Sequence, residues 1–144
     1  MGATDALSVG NEGGPAMATK TRGEIEAAVS DGVSRFEQEY VGRGPKHIRT
    51  HLLGDLLVVR LQGVLTAAEQ QLVKVAAPEK GRNLLKQVRT ELIETARPLL
   101  EAMVTDVTGV KVVSLHHDIS TLTGEEVVLF ALAEAPDVRE AKVR

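Results

Sequence analysis

The chain has 144 residues, 43% of them hydrophobic and only 2% aromatic, with a formal net charge of −3. That length and composition fit one domain with an aliphatic core, while the few rings and the acidic balance argue against base-stacking platforms and a general nucleic-acid binder. There is no cysteine, which excludes disulfides, thiolate metal sites and cysteine nucleophiles and fits a reducing cytoplasm.

Residues 1–19 are rich in Gly, Ala, Ser and Asn and show no hydrophobic period; they read as a disordered N-terminal extension. No basic region followed by an apolar run marks a secretory signal. The longest apolar stretches, "LLVV" and "VVLFALA", fall well below the ~20 residues that cross a bilayer. The expected state is soluble and cytoplasmic, with the membrane reached only through a partner.

The first helix starts at a capping box, Thr21 followed by Glu24. In this motif the hydroxyl accepts from the N3 amide and the carboxylate returns to the cap amide. Ile25, Val29, Val33, Phe36 and Tyr40 then form one apolar stripe, which ends near Val41 where Gly42 and Gly44 can turn the chain. "KHIRTHLL", a "GD" turn and "LLVVRLQGVL" read as a hairpin, its second strand apolar on both faces except at Arg60 and Gln62 and therefore central in its sheet. A second capping box, Thr66 and Glu69, opens a short helix that Pro78 stops. A long helix is predicted from about Glu79 to Asp106, with Leu84, Leu85, Val88, Leu92, Ile93, Leu99, Leu100 and Met103 as its buried face. Pro98 is expected to kink or split that helix, because it removes one backbone bond to Glu94. "TGVKVVSLHHDIS", the turn "TLTGEE" and "VVLFALA" form the second hairpin.

Helix, hairpin, two or three helices and hairpin define an α+β fold. Its sheet is four-stranded and mostly antiparallel, with helices packed on one face. The domain is placed at 20–135, and the charged segment 136–144 reads as a fraying tail.

The pieces "GRGP", "VVRLxGVLT-xxE", "TGVKVxS" and "DIS-TxTGE", spread from about Glu24 to Leu132, resemble the MpsC-like family. That family is named for a component of a Na+-translocating, membrane-potential-generating system. The resemblance implies a soluble accessory or regulatory subunit beside membrane transporter subunits, in an association with ion or bicarbonate uptake. It brings no assigned catalytic residue, and the Gly-rich N-terminal extension departs from the family core.

The residues themselves nominate contact positions. At the corner "GRGPK", Arg43 and Lys46 add charge to a glycine turn that could expose amides to an anion. The corner follows a helix, so no helix N-terminus points into it and it is not a phosphate loop. In "HHDISTLTGEE", Ser114, His116, Asp118 and Ser120 share one side of a strand, and Thr121 and Thr123 occupy the turn. Successive side chains on one side of a strand stand about 7 Å apart, too far for a Ser–His–Asp relay. Arg60, alone in an apolar strand, needs a carboxylate partner such as Asp118 or Glu126, or an anion on the face of His116.

The reading is a non-enzymatic accessory protein that forms a homodimer through its uncovered sheet face. It contacts a partner or small anion through Arg43, Lys46, Arg60, His116, Asp118, Ser120, Thr121 and Thr123, with no cofactor and no bound metal. Two alternatives stand beside it. One is a nucleic-acid module using the basic run Arg43, Lys46, His47 and Arg49. The other is a metal- or anion-dependent enzyme around His116 and Asp118.

Overall fold

The computed structural model describes residues 20–75 and 78–140. The N-terminal extension, residues 1–19, and the end of the charged tail, residues 141–144, lie outside them.

α1 spans Arg22–Phe36 and continues into a single wider, π-helical turn, Glu37–Val41, closed by Gly42 in the left-handed region at φ 100°. β1 (His47–Leu53) and β2 (Leu56–Gln62) follow, then α2 (Ala67–Val75), α3 (Pro78–Thr108), β3 (Val112–Ile119) and β4 (Glu126–Leu132). Both capping boxes form. Glu24 N donates to Thr21 Oγ1 at 3.1 Å and Thr21 N to Glu24 Oε1 at 2.8 Å. Glu69 N donates to Thr66 Oγ1 at 3.2 Å and Thr66 N to Glu69 Oε1 at 2.9 Å.

The strands pair antiparallel in the order β1-β2-β4-β3. The two hairpins thus meet through β2 and β4, and β2 is central, as its apolar faces predict. Thr50, Leu52, Leu57, Val59, Leu61, Val128, Phe130, Leu132, Leu115 and Ile119 point inward and are buried. Against them lie Ile25, Val29, Val33 and Phe36 of α1 and Ile93, Ala96, Leu100 and Val104 of α3. α1 also restrains edge strand β1: Leu52 N donates to Glu26 Oε2 at 2.8 Å, and the Ser30 and Thr50 hydroxyls share a bond of 2.8 Å. Edge strand β3 carries a bulge between Val112 and Ser114 that leaves Val113 exposed. The segment after β4 returns to the start of α1, where Arg139 N donates to Lys20 O at 2.7 Å.

α3 departs from the expectation in two ways. It runs unbroken through Pro98. Pro98 is exposed, so the Glu94 carbonyl it leaves unbonded can face water, and Arg97 braces this turn through Glu94 at 3.2 Å and Glu101 at 2.9 Å. Its buried face is Leu85, Arg89, Ile93, Ala96, Leu100 and Val104, whereas Leu84, Val88 and Leu99 are exposed. Two neighbouring apolar stripes run along α3. The inner one was obscured because an arginine occupies its second turn.

Gly32 is a contact position between α1 and α3. A Cβ there would stand 2.6 Å from Met103 Sδ, so its absence lets α3 seat on α1. Gly32→Val should lower stability by about 1–3 kcal/mol through overpacking. The same change in a Met103→Ala background should cost less than about 1 kcal/mol, as measured by urea unfolding of the four proteins of the cycle.

Candidate functional site

A cleft with converging polar groups lies where the corner after α1 meets the β3–β4 turn. It holds about 410 Å³ and is lined by Arg43, Lys46, Gly63, Leu65, Gln70, Val73, Lys74 and residues 121–124. Four segments build it. Gly42 turns the chain so that Arg43 points back, and Arg43 Nη1 donates to Leu65 O at 3.1 Å. Gln70 Nε2 donates to the same carbonyl at 3.2 Å, fixing α2 to the cleft floor. Lys46 enters β1 with its amide on Gln62 O at 2.9 Å. Its side chain passes over Gly63, which sits at φ 69° and where a Cβ would come within 2.7 Å of Lys46 Cγ. A side chain at that position would be strained in backbone and would displace the lysine.

The far wall is the turn after β3. Gly124 N donates to Ser120 O at 2.8 Å, Thr123 N to Ser120 Oγ at 3.1 Å and Glu125 N to Thr123 Oγ1 at 3.2 Å. Ser120 therefore braces the turn that presents Thr121 and Thr123. Leu122 stands at the mouth, 92% exposed. Among the described residues the lining holds Arg43, Lys46 and Lys74 and no carboxylate. Cationic and hydroxyl donors over an apolar floor of Leu65 and Val73 suit an anion carrying an apolar body.

The candidate residues thus divide. Arg43, Lys46, Thr121 and Thr123 meet in one cleft, with Ser120 behind them. Arg60 lies on the open sheet face and pairs with Glu125, not with Asp118 or Glu126. His116 is exposed on that same face, in register with Leu129. Asp118 faces solvent at the sheet edge and binds Lys86 at 2.7 Å, an ammonium that holds its carboxyl below the ordinary value. The basic run is split as well: Arg43 and Lys46 line the cleft, while His47 and Arg49 lie with Arg60 on the open face. Among the described residues, no three His, Asp or Glu side chains gather as metal ligands.

Behind the cleft lies a group that residue type alone did not reveal. Arg89 of α3 is 2% exposed. Its Nε and Nη2 donate to Glu69 of α2 at 3.0 and 2.8 Å, Nη2 also to Val64 O at 3.0 Å, and Nη1 to Glu37 at 3.1 Å. Glu126, the first residue of β4, places Oε1 3.6 Å from the same Nη1. One guanidinium thus joins the end of α1, the β2–α2 connection, α2 and β4. Burial opposes its charge, but the bond to Glu69 and the fields of Glu126 and Glu37 outweigh that and raise its pKa. Burial likewise raises the carboxyl of Glu37, against the pull of Arg89. The available signal was the α3 stripe, in which Arg89 replaces an apolar residue between Leu85 and Ile93.

The MpsC family model, described as a Na+-translocating membrane potential-generating system, matches residues 21–134. The chain belongs to the MpsC family. It is 38% identical over 113 residues to YbcI of Bacillus subtilis (strain 168), an uncharacterized protein, with 78% of this chain and 89% of that one covered. It is 33% identical over 92 residues to YrhF of the same organism, also uncharacterized, with 62% and 72% covered. No solved structure matches. Family membership links the chain to a Na+-translocating, membrane-potential-generating system. No helix among the described residues is long and apolar enough to cross a membrane.

Arg89→Met should destabilise the fold by about 3–5 kcal/mol, because buried carboxylates lose their counter-charge. Arg97→Ala, which removes two partly exposed pairs, should cost only about 1 kcal/mol or less. Thermal and urea unfolding of the two variants side by side checks this contrast.

Proposed function

We propose that the protein is a non-enzymatic accessory subunit of its Na+-translocating system, acting by contact with membrane partners and by binding an anion in the basic cleft. The observation that carries this reading is the cleft lining: three cations and two threonine hydroxyls around an apolar floor, with no carboxylate, imidazole or thiol among the described residues that line it. Such a lining binds and orients an anion and supplies no general base. Its volume of about 410 Å³ leaves room for an organic carboxylate or phosphate as well as for bicarbonate.

Partner contact is supported by a second feature. Leu84, Val88 and Leu99 form an outward stripe on α3 and are 39%, 48% and 60% exposed. Apolar surface in a row of this kind favours association. A homodimer through the open sheet face belongs to the same proposal, since helices cover only the other face. That open face is mixed, with Val58 and Leu129 at its centre and His51 and His116 at its ends.

Titration of the 15N-labelled protein with phosphate, bicarbonate and a short-chain carboxylate should move the amide signals of Gly63, Gln70, Thr121 and Thr123 at low millimolar concentration. Lys46→Gln and Lys74→Gln should each weaken binding roughly 5–10-fold, the size of one partly exposed charge contact. Affinity should also fall as sodium chloride is raised. If none of the three anions shifts the cleft resonances, the anion part of the reading is wrong.

A further inference from the structure

The Arg89 cluster contains more negative charge than its guanidinium can neutralise. Glu69 accepts from Nε and Nη2 of Arg89 and from the Thr66 amide, so its two oxygens are fully engaged. Glu37 takes Nη1. Glu126 is fully buried, and neither of its oxygens has a hydrogen-bond partner among the described residues. Its neighbours across the sheet, Leu61 on β2 and Ile119 on β3, are apolar and buried. The titratable and charged groups facing it are therefore Glu37 from the turn after α1, Glu69 from α2 and Arg89 from α3.

Two buried carboxylates and the partly buried Glu69 around one guanidinium would leave two uncompensated negative charges, an arrangement that proteins avoid by taking up a proton. Glu37 Oε1 and Glu126 Oε1 converge on one nitrogen, standing 3.1 and 3.6 Å from Arg89 Nη1. As two carboxylates they only repel. With one proton between them, one donates and the other accepts, and one of the two unpartnered oxygens of Glu126 gains a partner.

We propose that Glu37 and Glu126 form a buried binding site for a single proton, which bridges the two carboxyls in the folded protein and whose release as pH rises loosens the joint between α2 and the sheet. The site stands whatever the neighbouring cleft binds. Burial first, and the Glu37 charge second, push the Glu126 carboxyl from its ordinary 4.5 up to about 8, against the pull of Arg89. The folded chain then holds a proton that the unfolded chain has released. Stability is full below the unfolded value, declines as pH rises toward the folded one, and levels off above it.

The test uses the full chain. With glutamate 13C-labelled at the carboxyl carbon and titrated from pH 5 to 10, a coupled carboxyl signal, assigned through Glu37→Gln and Glu126→Gln, should change above pH 7. If all glutamate signals reach their carboxylate positions below pH 6, the proposal fails. In parallel, the melting temperature of the wild type should fall between pH 6 and 9 relative to that of Glu126→Gln, whose amide supplies the bridging donor at every pH. The difference between the curves should correspond to one proton, and parallel curves would overturn the proposal. Should Glu126→Gln not fold, the wild-type carbon titration decides alone, with assignment by Glu37→Gln.

Discussion

A single guanidinium joins the parts of this protein that would otherwise have least reason to stay together. α1 and α3 hold to the sheet through continuous aliphatic contacts. α2 is short, and several of the residues on it are exposed. Its attachment is polar: Glu69 caps its own helix and grips Arg89 with both oxygens. The same side chain reaches Glu37, where the helix widens after α1, and Glu126, where β4 begins. A buried ion cluster of this kind need not add net stability over apolar packing. What it adds is position, because a guanidinium has five donors in one plane and accepts few alternative arrangements.

Position matters because the cleft is assembled from the same segments. Leu65 lies between Val64, which accepts from Arg89, and Thr66, which caps α2. Its carbonyl receives both Arg43 and Gln70. The Thr121–Gly124 turn ends two residues before Glu126. Buried cluster and open cleft are two sides of one wall: the inner side carries excess negative charge and the outer side excess positive. Such a wall holds the donors of the cleft in place before any ligand arrives.

What the sequence made legible was the local part. Both capping boxes, the glycine stop at Gly42, the central strand and the α+β order depend on neighbours three or four residues apart or on simple alternation. Arg43, Lys46, Thr121 and Thr123 could be marked as contact residues, but their meeting could not, since it depends on β2 and β4 joining the two hairpins. The strand bearing Asp118 is the richer in polar residue types, yet that carboxylate is exposed and paired with Lys86. Arg89 was missed because an arginine reads as solvent-facing. Its partners lie 52, 20 and 37 positions away along the chain, beyond any periodic pattern. On α3 the exposed leucines resembled core residues while the true inner stripe held a charge.

Arg89 is a buried junction, and its guanidinium protons report directly on whether that junction is fixed. In a 15N–1H spectrum at neutral pH, Arg89 should give separate Nε and Nη signals that exchange slowly with water and vanish only with global unfolding. The partly exposed guanidinium of Arg97 serves as the internal comparison. If Arg89 instead gives one averaged, rapidly exchanging signal like that of Arg97, the junction is not formed and the central claim is contradicted.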